Sequence, residues 1–351
     1  MYKKVTNNNK KDSRDVNIDV CRFIMSIFVV CDHTHPLSDV SDFLNTFVSY
    51  TLFMLAVPFF LMCSGYYFAK TINWKNNYVE NYSDCRKYLF KQWIKLAKMY
   101  LLWSIFYNFI DICLDTKWFS QIDMISIMKK LETYLFSFVF NSSVYLFWFF
   151  SAMLFAYFYV IIFIRYLRKD FIIAYAVLLY FSGLLFHSYY YMIEGSILGK
   201  IMEKLKIIPA PVWALTRVLP FILVSIIYYE YEEEKTLHYY MKYFVLFYFL
   251  WSIEVLLNLK IGNNYAYYSI FTLPVAYYFF GIVKKMNIDK VRVSSTFLAK
   301  LSMFIYCFQY LLLHYIFPLD KYIMYGYFIR FICIISISIL VGSIYVNFSD
   351  N

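Results

Sequence analysis

The stretch N-I-D-V-C-R-F-I-M-S-I-F-V-V-C-D-H-T-H-P, residues 17–36, decides how the rest of the chain is read. It sets Arg22 and His33 at the two ends of an apolar run. On an α-helix the eleven steps between them, at about 100° each, bring His33 back to within about 20° of Arg22. At about 1.5 Å rise per residue the two side chains stand roughly 16 Å apart along the axis. One helix face therefore carries a permanent cation near one end and a titratable imidazole past the middle. Asp19, three residues before Arg22, can pair with it. The uninterrupted apolar core, Phe23 to Cys31, is too short to meet lipid all round. A helix with Asp19, Arg22, Asp32 and His33 is expected to be enclosed by other helices.

Outward from this stretch the composition is that of a membrane protein. Of 351 residues, 62% are hydrophobic and 16% charged, and the mean hydropathy is +0.55. Apolar runs of about 20 residues recur, too long and continuous for the alternating strands of a membrane barrel. The expected fold is all-α, a polytopic transmembrane bundle of about ten helices. They are placed near 18–36, 43–69, 93–113, 144–164, 170–187, 211–229, 243–259, 265–283, 298–317 and 325–346. Residues 1–17 read as a basic tail, and 18–347 as a single transmembrane domain with no soluble domain appended. Basic loops alternate along the chain, which puts both termini in the cytoplasm. The segments 114–143 and 188–210 read as longer, partly amphipathic outer segments. They carry Lys117, Lys129, Lys130, Lys200, Lys204 and Lys206, against the positive-inside tendency. The net charge of +10 is the usual excess of such loops, and no nucleic-acid partner is expected. The seven cysteines form no C-x-x-C pair and suggest neither disulfide framework nor metal site.

Helix 2 contains V-P-F-F-L-M-C-S-G-Y-Y-F, with Pro58 opening the helix and Ser64 and Gly65 permitting close approach. Together with the first stretch it resembles the bacterial membrane acyltransferases of acyltransferase family 3. Those proteins open with "L-D-x-x-R", then ten intervening residues and His, places filled here by Ile18-Asp19, Arg22 and His33. Their "P-F-F-x-x-S-G-(F/Y)" is matched by Pro58, Phe59, Phe60, Ser64, Gly65 and Tyr66. Leu146-Phe147-Trp148-Phe149 is similar to their "W-F-L" helix, and Arg217-Val218-Leu219-Pro220-Phe221 to "R-x-x-P-F-F-x-x-G". The chain departs from the pattern at Gln92 and Lys95, where two arginines are frequent, and at Gln309, where His is common.

The resemblance implies an integral-membrane O-acyltransferase in the bacterial cytoplasmic (inner) membrane. It would move an acyl group, acetyl foremost, from acyl-CoA to a hydroxyl of a surface polysaccharide or its lipid-linked precursor. Acyl-CoA is a co-substrate, and no bound cofactor or metal is implied. His33 is the expected catalytic residue, as general base or as acyl relay. Arg22, Asp19 and Lys95 are the candidate donor-binding residues, since a guanidinium suits phosphate. Ser64, Gly65, Tyr66 and Trp148 are candidate pocket-lining residues. His35 and Arg217 fall on the acceptor side. Membrane lipids and the glycan acceptor are the expected partners. The alternative is a transporter or exporter of a glycan or small molecule, for which buried Arg22, His33 and Glu254 would serve coupling; the lack of internal repeats speaks against it. No G-x-S-x-G, P-loop or H-E-x-x-H motif is present.

Overall fold

The computed structural model describes residues 15–114, 124–142, 144–166, 168–263, 268–287, 294–318 and 326–350. It is 82% helical with almost no strand. Most of the tail expected over 1–17 lies outside the described residues.

The first helix, α1 (Val16–Thr34), starts where the Asp15 carboxylate accepts from the Ile18 N–H at 3.2 Å. It stops because His35 adopts a left-handed backbone (φ 54°) just before Pro36. The helix thus ends two residues earlier than the sequence suggests. Next come α2 (Asp42–Thr51), capped by Ser41, and α3 (Ala56–Ala69), joined by a tight turn at Phe53–Leu55. The turn precedes Pro58, which lacks the N–H that a continuous helix would place on the Met54 carbonyl. A short hairpin follows, β1 (Trp74–Lys75) against β2 (Tyr78–Val79). Both turn residues, Asn76 and Asn77, have positive φ, as a tight hairpin turn of this hand requires.

α4 (Tyr82–Leu114) is 33 residues long and begins eleven positions before the expected start at 93. At about 1.5 Å per residue it spans roughly 50 Å, beyond the roughly 30 Å of a hydrocarbon core. Arg86, Lys87 and Lys91 lie in its first three turns. The segment 114–143, expected to be polar and outside, contains instead α5 (Met124–Phe140). Leu131, Leu135, Phe136 and Val139 lie exposed along it, at the 3–4 residue spacing of a helix presenting an apolar stripe. α6 (Trp148–Tyr166) and α7 (Ile172–Phe186) follow close to expectation.

The remaining elements are α8 (Ile197–Leu205), α9 (Pro209–Trp213), α10 (Leu219–Tyr231), α11 (Leu237–Lys260), α12 (Thr272–Lys285), α13 (Ser295–Leu311) and α14 (Tyr327–Asp350). Two π-turns interrupt this half, Ala214–Val218 between α9 and α10 and Leu312–Ile316 after α13. Such wide turns are uncommon and cluster at functional positions.

Among the described residues, seven segments are long and apolar enough to cross a membrane: 42–69, 128–166, 169–186, 209–231, 237–260, 295–316 and 327–348. By that measure the count is seven, where the sequence reading expects about ten. α1 carries Asp19, Arg22 and Asp32, and α12 has only 14 residues, yet both pack along the seven, α1 against α13 and α3, α12 against α11. Leu102, Phe109, Val245 and Leu340, each more than 60% exposed, face outward as residues meeting lipid do.

The bundle has two unlike ends. One gathers Asp15 with Lys284, Asn77 with Asp170, and Lys169 with Glu230 at 2.5 Å. The basic loops lie here. The other end holds His35–Ser41, the 187–208 segment and residues 261–263 and 268–271.

Candidate functional site

A cavity of about 430 Å³ opens inside the bundle toward the end away from the basic loops. α1 contributes Val29, Asp32 and His33, α3 contributes Val57 and Pro58, and α6 contributes Trp148. His187 at the end of α7, Trp213 of α9 and Arg217 of the first π-turn complete one wall. The face predicted from the eleven-residue spacing is real: Arg22, Val29 and His33 recur at i, i+7 and i+11. Asp32, which the sequence places about 100° round the helix from His33, lines the same cavity because the space wraps round the helix end. The His33 ring stands edge-on to Tyr145, centroids 6.3 Å apart and planes at 82°.

Arg217 lies over two rings, 5.4 Å from the Trp213 centroid and 5.5 Å from that of Tyr268. The Tyr268 hydroxyl donates to the Thr216 carbonyl at 2.9 Å, which pins the π-turn that carries Arg217. Trp148 meets Trp213 edge-on at 5.6 Å. Aromatic walls around one guanidinium, two imidazoles and the Asp32 carboxyl group form a polar spot within an apolar shell, the usual make-up of a small-molecule site.

At the other end of the α1 face, Arg22 borders a void of only about 30 Å³, with Phe60, Phe149, Ser302 and Tyr306. Val29 and Val57 wall both this void and the larger cavity. Arg22 Nη1 stands 3.7 Å from Asp19 Oδ1, and Asp19 is 1% exposed. At that separation the pair is ionic without a hydrogen bond. Arg22 Nε is buried with no hydrogen-bond partner among the described residues. An unmet buried donor is costly, which marks the group as able to take an anionic ligand.

The other sequence candidates fall elsewhere. Ser64 lies within hydrogen-bonding reach of Tyr157 from α6, beside Arg22. Gly65 faces α10 so closely that a Cβ would come within 2.6 Å of the Ile222 carbonyl oxygen. Tyr66 packs with Tyr67, Tyr228, Tyr229 and Phe280 at the basic end. Lys284 and Lys70 lie over its ring at 4.6 and 5.0 Å. Lys95 is exposed on α4, outside these cavities. His35 lies past the end of α1, its Nδ1 3.1 Å from Asn45 Nδ2. Asn45 Oδ1 accepts from the Leu37 N–H, so Nδ2 is the donor and the His35 Nδ1 accepts. His35 thus orders its own loop and is no part of the cavity lining.

Glu254 pairs with neither His33 nor an arginine among its hydrogen-bond contacts. Its carboxylate accepts from the Ile270 and Phe271 N–H groups, at 2.7 and 3.2 Å, and from the Tyr189 hydroxyl. It thereby fixes the start of α12 and, through Tyr189, the 187–190 turn. His187 and Trp213 were missed in the sequence. A histidine ending an apolar helix was the available signal for His187; nothing local marked Trp213.

The acyltransferase domain family model matches residues 15–347, nearly the whole chain. The chain belongs to acyltransferase family 3. It is accordingly a multi-pass membrane protein of an acyltransferase family. An amino-acid racemase of Enterococcus faecalis is 28% identical over 173 residues, 49% of this chain and 23% of that protein. The chain thus aligns with about a quarter of that relative, whose racemase activity is said of it alone. No solved structure matches the chain.

Proposed function

We infer that this family member is an O-acyltransferase that uses acyl-CoA from the basic side and acylates a glycan hydroxyl reaching His33 from the opposite side. The observation that carries this is the arrangement along α1. Arg22 borders a narrow void, His33 lines a wide cavity, and Val29 and Val57 separate the two. On the positive-inside tendency the basic end is cytoplasmic, where acyl-CoA is found. Arg22 offers an unmet N–H to a phosphate or thioester group, and Lys70 lies over the Tyr66 ring at the same end of the bundle.

In the transfer step the acceptor oxygen bonds to the acyl carbon, the acyl–sulfur bond breaks, and CoA leaves as thiolate. His33 takes the hydroxyl proton and can return it to the thiolate. An imidazole titrates ordinarily near pH 6.5, so its neutral form is available for this role. The void beside Arg22 is only about 30 Å³, which leaves no room for a long acyl chain and supports a small one, acetyl first. The acceptor, a surface polysaccharide or its lipid-linked precursor, is supported by the width and aromatic lining of the far cavity. The setting we infer is the bacterial cytoplasmic membrane.

The test uses inverted membrane vesicles given acetyl-CoA labelled on the acetyl group. Label should enter glycan or lipid-linked sugar with the wild type and not with His33→Ala at equal expression. Transfer undiminished in the variant would remove His33 from the chemistry.

A further inference from the structure

Three cavities meet at His187, Trp213 and Arg217. One is the His33 cavity. The second, about 810 Å³, reaches outward past Tyr190, Tyr191 and Glu194. The third, about 290 Å³, runs between α9 and Lys206 toward Asn141. Lys206 borders both outer cavities, with its Nζ 4.0 Å from the Tyr190 ring centroid. Two fixed cations, Lys206 and Arg217, therefore face one vestibule walled by Trp213, Tyr190 and Tyr191. Glu194 supplies an acceptor for hydroxyls on the rim.

This vestibule lies at the end away from the basic loops, where lysines are disfavoured in short connections. It absorbs Lys206 from the otherwise unexplained lysines of 188–210. The site is built. Glu254 holds Tyr189, Asn263 Nδ2 donates to the Ser188 carbonyl at 2.8 Å, and Tyr268 holds the π-turn of Arg217. α8, just before Lys206, leaves Ile197, Leu198 and Ile201 exposed, with Ile207 beyond it 65% exposed. Such an amphipathic helix lies in a membrane interface with its apolar side toward lipid.

We propose that this vestibule seats a phosphorylated sugar, with the phosphate ester between Lys206 and Arg217 and the sugar against Trp213 and Tyr190, so that a sugar hydroxyl points inward to His33. Paired cations suit a phosphate, and aromatic faces suit the apolar side of a sugar ring. The volume of about 810 Å³ falls in the range of ligand sites, roughly 300–1,000 Å³. The phosphate can be that of a lipid-borne diester or of a soluble sugar phosphate; both present the same chemistry. The inward orientation rests on the acyl-transfer reading of the His33 cavity, whereas the phosphate seat does not.

The test is a titration of purified full-length protein in nanodiscs, followed by tryptophan fluorescence with no donor present. The probes are glucose 1-phosphate, its dodecyl diester and methyl glucoside. The phosphorylated probes should alter the emission and methyl glucoside should not, and Trp213→Phe should abolish the change. Lys206→Gln and Arg217→Gln should each weaken phosphate binding by at least about tenfold, the usual effect of losing a charge-assisted hydrogen bond. Arg217→Lys keeps the charge if the glutamine variant folds poorly. Tighter binding of the diester supports a lipid-borne ligand, and equal binding a soluble one. Equal binding of methyl glucoside, or unchanged affinity in both cation variants, overturns the proposal. Acetyl transfer without phosphate selectivity would sink the seat and leave the acyltransferase reading standing; selective binding without acetyl transfer would do the reverse.

Discussion

Gly65→Ala should loosen the α3–α10 contact and, through it, the wall of the His33 cavity. A Cβ at Gly65 would lie 2.6 Å from the Ile222 carbonyl oxygen and 2.9 Å from its Cα, against 3.4 Å for ordinary contact. It would also strike Ser225 Oγ, which is itself held by the Ile222 carbonyl at 2.8 Å. Two of these obstacles are backbone, so the helices must part by roughly 0.5–0.8 Å, an overpacking that typically costs about 1–3 kcal/mol. Phe221, next to Ile222, lines the His33 cavity, so the shift reaches the site. The assay is the thermal unfolding midpoint of purified protein with Gly65→Ala, Ser225→Gly and the double substitution. Gly65→Ala should lower the midpoint, and adding Ser225→Gly should restore it only in part, because the Ile222 backbone remains. An unchanged midpoint for Gly65→Ala, or full rescue by Ser225→Gly, would refute the reasoning.

Further outcomes follow from the same geometry. Glu254→Ala strands two amides and the Tyr189 hydroxyl; stability should fall by about 2–4 kcal/mol, Glu254→Gln retaining part of it, as read by thermal unfolding. Val57→Ala should widen the partition between the Arg22 void and the His33 cavity and raise the use of butyryl-CoA relative to acetyl-CoA in a transfer assay. His35→Gly should be better tolerated than His35→Ala, because the left-handed backbone at φ 54° costs an alanine about 1 kcal/mol. Partial burial, and after it Arg330, holds the His35 pKa below its ordinary value, with Asp42 opposing. Protonation therefore favours the unfolded form, and the order of the 35–41 loop should be kept above about pH 6.5 and decline as the pH falls below it. Hydrogen exchange of the Leu37 amide would read this.

Much of the fold was legible because lipid imposes long apolar helices, and the 22–33 spacing fixed which face of α1 would look inward. The limits lay where local pattern and tertiary packing diverge. α5 carries Lys129, Lys130 and Glu132, which made 114–143 look like a polar connection, although its remaining face is apolar. Gly65 and Tyr66 sit in the same motif as Ser64, yet helix geometry turns Gly65 to α10 and Tyr66 into the aromatic layer at the basic end. His35 looked like an acceptor-side group from its place near a helix end; its hydrogen bonds turn it to the loop instead. His187 and Trp213 come to the cavity from two separate helices, a convergence that no local spacing encodes.

The most direct measurement of the central claim is transfer of labelled acetyl from acetyl-CoA into glycan or lipid-linked sugar, in vesicles bearing wild type, His33→Ala or Arg22→Gln at equal abundance. The account predicts transfer by the wild type, none above background for His33→Ala, and for Arg22→Gln a higher acetyl-CoA requirement. Transfer by His33→Ala at the wild-type rate would contradict it.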